Sequence, residues 1–188
     1  MNTVIEPERL ADHPAIRAVV SAAFAQQPSV AELVELIRAS PEYVAELALV
    51  ARVDGVVVGF VMLSHAELVD SSGERHRVLT LSPLAVTPAL QGRGIGSALV
   101  LAGLREAARL GEQLVLLEGS PRYYSRFGFR DCRPFGIEIT LPDWAAPEAA
   151  MVFTLPGYDA RLRGRLVYPP AFVATGTAAG SGGDSSSC

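Results

Sequence analysis

The N-terminal part of the chain consists of a short apolar run and two amphipathic segments. The run Thr3–Ile5 predicts a strand that is closed by Pro7. Apolar residues then recur at helical spacing after Asp12, a residue type favoured at helix N-caps, and they predict a first helix. Ser29 and Glu32 have the spacing of a capping box, so we expect a second helix to begin there.

The pattern then changes to β-branched runs separated by turn residues. The runs Ala48–Val53 and Val56–Leu63 flank Asp54-Gly55, a dipeptide typical of tight hairpin turns. A polar loop follows, and after it a third run, Val78–Val86, predicts another strand. These three runs predict an antiparallel part of a sheet.

A glycine-rich loop follows the third run and leads directly into a helix. The segment Leu84-Ala-Val-Thr-Pro-Ala-Leu-Gln-Gly-Arg-Gly-Ile-Gly96 ends in alternating glycines. Apolar periodicity predicts a helix over Ser97–Leu110, with Gly111 as its C-terminal stop. The short, fully apolar run Leu114–Leu117 predicts a buried strand.

The C-terminal third completes the predicted sheet. A short helix is expected around Pro121–Phe127, with further strands near Phe129–Ile139 and Met151–Leu155. This order predicts one α/β domain with a mixed sheet over residues 1–173. Residues 174–188 are rich in Ala, Gly, Ser and Thr, and we expect them to form a disordered tail.

Composition narrows the functional classes. A net charge of −4 argues against a general nucleic-acid binder, and all 16 basic residues are Arg, which excludes lysine chemistry. Two cysteines, Cys132 and Cys188, are too few for a disulfide framework or a zinc site, so no metal is expected. No apolar run reaches membrane-spanning length, and no signal peptide is visible. We therefore expect a cytoplasmic protein without a membrane partner.

The strand, glycine loop and helix N-terminus have the features of an anion site. Backbone N–H groups and the helix dipole favour negative charge there, and Arg93 adds a fixed positive charge, so a phosphorylated ligand is expected. The spacing of Gly92, Gly94 and Gly96 does not fit a dinucleotide-binding loop, and a Walker A loop requires a lysine. A plain strand-to-helix turn would need fewer glycines.

The pattern Gln91-x-x-Gly94-x-Gly96 after an apolar strand resembles the acetyl-CoA signature of the GNAT superfamily, the Gcn5-related N-acetyltransferases. The segments Tyr123-Tyr-Ser-Arg-Phe-Gly-Phe129 and Gly164-Arg-Leu-Val-Tyr-Pro-Pro-Ala-Phe172 are similar to those of YhbS-like predicted bacterial N-acetyltransferases. The element order matches the GNAT topology from about Thr3 to Leu155. The resemblance implies a mixed, mostly antiparallel sheet flanked by helices, with a splay between the fourth and fifth strands.

The resemblance also implies where acetyl-CoA binds. Pro83 lies inside a central strand, where it cannot donate to the ladder, and this favours a bulge. In GNAT proteins the corresponding strand separates from its parallel neighbour and the pantetheine arm enters the gap, so we expect free backbone groups at Leu84, Ala85 and Val86. The pyrophosphate is expected at the helix start. The other cofactor-binding residues expected from the resemblance are Gln91, Gly92, Arg93, Gly94, Ile95, Gly96, Ser97, Tyr124 and Arg126.

Acetyl transfer to an amine needs a base for the acceptor and an acid for the departing thiolate. The resemblance implies Tyr124 as the acid, because a family tyrosine four residues before the Gly-Phe pair usually lies beside the sulfur. Tyr123 is the alternative. Glu118 and Glu67 are candidate bases and His65 is a third, while deprotonation through water, with no single base, stays open.

We expect direct transfer in a ternary complex rather than through an acyl-cysteine. Cys132 has no histidine nearby in the sequence to activate it, and we expect it to pack beside Phe129. The acceptor is expected to contact the segments Phe24–Ser29 and Pro134–Pro147. The second segment carries residues that would suit a cationic amine, namely Glu138, Asp143 and Trp144.

Three functional hypotheses follow. The first is an acetyl-CoA-dependent N-acetyltransferase acting on a primary amine of a small molecule or a peptide. The second is a non-catalytic acyl-CoA-binding protein of the same fold that acts through a partner. The third is transfer to a hydroxyl group, or transfer of a longer acyl group. Because GNAT proteins are often dimers, a homodimer is also among the expectations.

Overall fold

The computed structural model describes residues 3–177, in which helices surround a nine-stranded sheet. The strands are β1 (Thr3–Pro7), β2 (Ala48–Val53), β3 (Val56–Val69), β4 (Arg75–Val86), β5 (Leu114–Glu118), β6 (Arg130–Asp131), β7 (Ile137–Glu138), β8 (Ala150–Thr154) and β9 (Gly164–Val167). The α-helices are α1 (His13–Ala23), α2 (Ser29–Arg38), α3 (Ile95–Arg109), α4 (Pro121–Tyr124) and α5 (Pro170–Ala174). Within this range, no helix combines the length and the apolar character that crossing a membrane requires.

The sheet is mixed, as predicted. Its strand order is β1-β2-β3-β4-β5-β8-β6, and β9 pairs with β3 and β7. The pairing of β4 with β5 is parallel, whereas β1 to β4 are antiparallel to one another in sequence order. The predicted β2–β3 hairpin is confirmed: Asp54 and Gly55 have φ values of 50° and 83°, and a two-residue type I′ turn requires positive φ at both positions.

Helices cover both faces of the sheet. On one face, α3 contributes Leu99 to a buried cluster that includes Leu63 of β3. On the other face, α2 contributes Leu33 to a cluster that includes Met62, the preceding residue of β3. Because successive strand residues point to opposite faces, a strand covered on both sides must be apolar at nearly every position. This explains the continuous apolar run that predicted β3.

A bulge in β4 interrupts the sheet at its centre. Between Leu81 and Leu84, β4 has two residues, Ser82 and Pro83, where β3 has one, Met62. Pro83 has no N–H to donate to the ladder, so it is accommodated at an irregular position. The bulge predicted from Pro83 is therefore confirmed.

Beyond the bulge, β4 and β5 separate. Their parallel pairing is limited to Leu79 with Val115 and Thr80 with Leu116. Within the described part of the chain, β4 continues to Val86 without a partner in β5. The predicted splay between the fourth and fifth strands is thus confirmed, and it leaves one edge of β4 open.

Two of the predicted helix caps differ from the structure. Asp12 occupies the N-cap position of α1 but makes no cap hydrogen bond, because its carboxylate accepts hydrogen bonds from Arg52 Nη2 at 2.7 Å and from the backbone N of Arg9 at 3.0 Å. The capping box predicted at the start of α2 is wrong. Pro28 is the residue before α2, and Ser29 already lies inside the helix.

One carboxylate is buried between β1 and α2. The Glu8 side chain, which is 2% exposed, accepts hydrogen bonds from Arg38 Nε at 2.8 Å and Nη2 at 2.5 Å. The Tyr43 hydroxyl donates to the same carboxylate at 2.9 Å, and this buried contact raises the pKa of Tyr43. Arg38 also pairs with the partly exposed Glu35. The cluster joins β1, α2 and the segment that follows α2.

The predicted start of the disordered tail, residue 174, is too early in the chain. Helix α5 extends to Ala174, and the Thr175 hydroxyl donates to the Ala171 carbonyl at 2.9 Å. The backbone N of Thr177 donates to the Phe172 carbonyl at 3.0 Å, so residues 174–177 are held by hydrogen bonds. The remainder of the predicted tail, residues 178–188, lies outside the described residues.

Candidate active site

A cavity of about 670 Å³ occupies the region where β4 and β5 separate. Leu81, Pro83 and Leu84 line it from β4, and Leu117 and Glu118 line it from β5. Other parts of the wall come from α1, α2 and their link, from the segment before β8, from α4 and α5, and from Gln91 and Tyr168. The bulge and the splay therefore form part of the wall of a cavity next to the glycine loop.

A second cavity, of about 240 Å³, lies at the N-terminus of α3. Gly92 and Gly94, which line it, have φ values of 71° and 84°, a backbone region that favours glycine. Gly94 turns the chain directly into α3, which starts before the predicted Ser97, and no side chain caps this helix. Its first N–H groups have no partner within the helix and carry the positive end of the helix dipole, which is the arrangement that binds anions.

Gly96 is favoured for a different reason, namely the close approach of the Tyr123 hydroxyl. A Cβ atom on Gly96 would lie 2.7 Å from the Tyr123 hydroxyl oxygen. The guanidinium of Arg126 stacks 4.0 Å from the centre of the Tyr123 ring and also lines the smaller cavity. Tyr123 and Gln91 line both cavities, so the two cavities adjoin each other.

Free backbone groups were expected at Leu84, Ala85 and Val86, and two of these three residues direct their backbone groups into the gap beside β4. The backbone N of Thr87 donates to Val58 of β3 at 2.8 Å. Since successive residues direct their backbone groups to alternate neighbours, Ala85 also faces β3, while Leu84 and Val86 face the gap. Ala85 thus differs from the expectation, and its side chain packs in the core on the face covered by α2.

The carbonyl of Val86 already has one partner. The side-chain amide of Gln91 donates to it at 3.1 Å. This hydrogen bond ties the end of β4 to the glycine loop. Gln91 therefore fixes the junction between the two cavities.

Tyr124 is the last residue of α4, and its ring packs against Gly119, the residue that directly follows β5. An added Cβ on Gly119 would be 2.5 Å from the ring carbon Cε2 of Tyr124, so only glycine fits beneath this ring. The side chain is 9% exposed, makes an edge-to-face contact with Phe129 at a centroid distance of 5.7 Å, and lines the larger cavity. The two adjacent tyrosine rings contact each other edge to face, at a centroid distance of 4.9 Å, and both line the larger cavity. They differ in what they approach: the Tyr123 hydroxyl lies near Gly96 of α3, and the Tyr124 ring lies against Gly119.

Glu118 is the last residue of β5. The Tyr168 hydroxyl donates a hydrogen bond of 2.6 Å to Glu118 Oε1. Burial raises the pKa of Glu118, and the hydrogen bond from Tyr168 partly opposes this shift. Burial, together with the neighbouring carboxylate, also raises the pKa of Tyr168. Among the described residues that line the larger cavity, Glu118 alone has an ionisable acidic or basic group of the Asp, Glu, His or Arg type.

Comparison with known families shows which family this chain belongs to. The sequence model of the Acetyltransferase (GNAT) family matches residues 16–129, which is more than half of the chain. The chain belongs to the GNAT family. The matched range includes the splayed strands, the glycine loop, Glu118 and Tyr124.

Curated GNAT relatives come from Escherichia coli. The chain is 36% identical over 122 residues to the uncharacterized N-acetyltransferase YjhQ of strain K12, a match that covers 62% of this chain and 64% of YjhQ. The chain therefore spans less than two thirds of that relative. It is also 36% identical over 119 residues to the uncharacterized N-acetyltransferase YhbS of the same strain, covering 63% of this chain and 68% of YhbS.

Solved GNAT structures match nearly the whole chain. YhbS from E. coli in complex with CoA has a TM-score of 0.79 at 29% identity, covering 92% of this chain and 93% of that structure. A GNAT family acetyltransferase from Brucella melitensis in complex with acetyl-CoA has a TM-score of 0.73 at 28% identity, covering 91% and 98%.

Some residues predicted for the GNAT site lie elsewhere. Glu67 is on the exposed end of β3, where it pairs with Arg75, and it lines neither cavity. His65, on the same strand, has its Nε2 2.9 Å from Glu112 Oε1 and is also outside both cavities. Arg93 is exposed in the glycine loop and lines neither cavity.

Cys132 is buried away from the site. Its Sγ donates to the Ile137 carbonyl at 3.2 Å, and burial raises the pKa of the thiol to about 11. It packs in a cluster with Ile137 and Leu116, while Phe129 belongs to the cluster on the other face of the sheet. Cys132 was expected to pack beside Phe129, but it belongs to a different buried cluster.

Both segments predicted to contact the acceptor line the larger cavity. Residues of the α1–α2 link and Trp144 are part of its wall, but Glu138 and Asp143 are not. Tyr168 is a lining residue that was not predicted from the sequence. It falls in a segment already noted for its resemblance to the family, but no spacing rule connects it with Glu118, 50 residues earlier.

Proposed function

We propose that this GNAT protein transfers the acetyl group of acetyl-CoA to a primary amine by direct transfer in a ternary complex. One observation carries the proposal: Glu118 and Tyr124 line one cavity, and that cavity shares Tyr123 and Gln91 with the cavity at the N-terminus of α3. Two similar solved structures contain CoA or acetyl-CoA, which supports the choice of cosubstrate.

The residues present fit acetyl-CoA. The N–H groups at the start of α3 suit a pyrophosphate, and Arg126, stacked on Tyr123, supplies a cation beside them. The backbone groups of Leu84 and Val86 that face the gap suit the amides of the pantetheine arm. Binding in the gap would hold the thioester near Glu118 and Tyr124, and positioning two reactants in this way contributes much of the rate of acyl transfer.

Glu118 is proposed as the general base. It accepts the proton that the amine loses as its nitrogen bonds to the thioester carbonyl carbon. A carboxylate with a raised pKa is a better proton acceptor than an exposed one, and Glu118 is still ionised at a pH above that value. This choice leaves Glu67 outside the reaction.

Tyr124 is proposed as the general acid. It donates its hydroxyl proton to the sulfur as the carbon–sulfur bond breaks, which gives the amide and the free thiol of CoA. The proton held by Glu118 then returns to Tyr124 through solvent, so each turnover restores both groups. The burial of Tyr124 at the end of β5, and the location of the Tyr123 hydroxyl at the start of α3, support Tyr124 rather than Tyr123 in this role.

Thermal unfolding with and without ligands tests the cosubstrate. A ligand that binds only the folded state raises the unfolding midpoint. We expect acetyl-CoA and CoA to raise it and NADH, the control nucleotide, to leave it unchanged. No rise with acetyl-CoA would overturn the proposal.

Thiol release then separates an enzyme from a binding protein. The protein is incubated with acetyl-CoA and a set of primary amines, and free CoA thiol is measured against a sample without amine. We expect amine-dependent release that is slowed in Tyr124→Phe and retained in Tyr123→Phe. Binding of acetyl-CoA without release by any amine would support the non-catalytic hypothesis instead.

A further inference from the structure

The wall of the larger cavity divides into two parts. One part comes from the splayed strands, α4 and Gln91, and it is used by acetyl-CoA in the proposed function. The other part comes from the α1–α2 link, the segment 141–149, and the residues around α5. This second part, which we call the acceptor wall, is left for the amine.

The acceptor wall is almost entirely apolar. Its polar side chains are those of Gln26, Gln27, Tyr168 and Thr177. The other side chains are aliphatic or aromatic. Its apolar members include Phe24, Ala25, Leu141, Pro142, Trp144 and Phe172. Within residues 3–177, no arginine lines the cavity, and its one carboxylate is Glu118 at the junction of the two parts.

This charge distribution selects among amines. A second cationic nitrogen on the acceptor would lie against apolar side chains, and transferring a charge from water to such a surface without a partner is strongly unfavourable. The two carboxylates that could have paired with it, Glu138 and Asp143, lie outside the cavity. An apolar body would instead remove the exposed ring of Trp144, 64% accessible, from water.

We infer that the acceptor is a primary monoamine with an apolar body, an alkylamine or arylalkylamine, rather than a polyamine or an aminoglycoside. The inference rests on the proposed function. The amine nitrogen lies at Glu118, and the apolar body lies along the acceptor wall. The bonds made and broken are those of the proposed acetyl transfer.

A matched pair of amines tests the inference. Hexylamine and 1,6-diaminohexane have the same length and differ only in a second amino group at the far end. We expect kcat/KM for hexylamine to exceed that for the diamine by about tenfold or more, because the second charge must be desolvated. Equal values, or a preference for the diamine, would overturn the inference.

A variant with a second carboxylate makes the test specific to the acceptor wall. Ala25 is exposed and lines the cavity, so Ala25→Glu adds a charge there with little effect on folding. We expect it to shift the preference toward the diamine. The control Ser21→Glu adds the same charge on exposed α1 surface outside the cavity and leaves the preference unchanged. An equal shift in both variants would contradict the inference.

The unfolding midpoint with acetyl-CoA distinguishes the two levels of failure. If acetyl-CoA raises the midpoint and the diamine is the better acceptor, only the inference about the acceptor fails. If acetyl-CoA binds and neither monoamines nor other amines release thiol, the proposed transferase activity fails as well. Acetylation of hexylamine in preference to the diamine supports both.

Discussion

At the scale of single residues, Glu118 is a carboxylate whose location favours chemistry over stability. Its folded-state pKa is raised, so the native state holds its proton more tightly than the unfolded chain does. The stability associated with the protonated form is therefore fully present below the unfolded-state pKa and is lost as the pH rises through the folded-state pKa. At neutral pH the ionised side chain opposes folding.

Substituting Glu118 should thus separate activity from stability. We expect Glu118→Gln to lower kcat/KM about 10²–10⁴-fold, because the proposed general base is lost. Its thermal unfolding midpoint at neutral pH should equal or exceed that of the unchanged protein, since glutamine still accepts the Tyr168 hydrogen bond and carries no buried charge. Thiol-release kinetics and thermal scans measure the two quantities.

Glu67→Gln is the matched control for this prediction. It removes a carboxylate that pairs with Arg75 on the surface and lies outside both cavities, so turnover should be retained. Full turnover in Glu118→Gln would instead favour deprotonation of the amine through water.

The Tyr168 hydroxyl should set the pH at which Glu118 becomes active. Its hydrogen bond lowers the pKa of Glu118 against the larger, raising effect of burial. Tyr168→Phe removes only that hydrogen bond, so the pKa of Glu118 rises further and the acidic limb of the kcat/KM profile moves to higher pH. Activity on the alkaline side of the limb should be retained. An unshifted limb would show that Glu118 does not govern this limb.

At the scale of secondary structure, the glycine loop and α3 combine two separate steric requirements. Gly94 needs a left-handed backbone, whereas Gly96 needs space for the Tyr123 hydroxyl. Both Gly94→Ala and Gly96→Ala should weaken acetyl-CoA binding, which a ligand titration of the unfolding midpoint measures. Only the cause of the strain differs between the two variants.

A second substitution distinguishes these causes. Tyr123→Phe removes the oxygen that a Cβ on Gly96 would meet, so it should restore much of the stability and binding lost in Gly96→Ala. It should not rescue Gly94→Ala, whose backbone strain of about 1–2 kcal/mol is independent of Tyr123. Equal rescue of both variants would contradict this assignment.

Elements set by local sequence were predictable, and those set by distant partners were not. Asp54-Gly55 specifies its own turn, Pro83 specifies a bulge, and the glycine loop placed the start of α3 within two residues of the observed Ile95. The partner of Asp12 is Arg52 of β2, and local capping rules could not show this. Nor could a local rule connect Glu118 with Tyr168, because only the folded sheet brings β5 and the segment after β9 together.

At the scale of the whole molecule, stability should depend on buried ion pairs more than on exposed ones. Glu8→Ala leaves the buried guanidinium of Arg38 with only Glu35, so we expect the free energy of unfolding to fall by about 2–4 kcal/mol. Glu67→Gln, at the exposed pair with Arg75, should cost less than about 1 kcal/mol. Urea denaturation measures both.

The affinity for acetyl-CoA provides a check on this prediction. Glu8 and Arg38 do not line either cavity, so the dissociation constant of Glu8→Ala should be unchanged at temperatures where the variant is folded. A large loss of affinity in the folded variant would mean that the cluster between β1 and α2 is coupled to the site.

The short contact between β4 and β5 has a mechanical consequence. Two residue pairs join these strands, and beyond them the β1–β4 side and the β5–β8–β6 side of the sheet diverge. A cosubstrate whose amides form hydrogen bonds with β4 inside this gap would add a further connection between the two sides. Occupancy and rigidity would then rise together, and amide hydrogen exchange at Val115 and Leu116 should slow when acetyl-CoA binds. Bound acetyl-CoA would then be both a reactant and a structural part of the sheet.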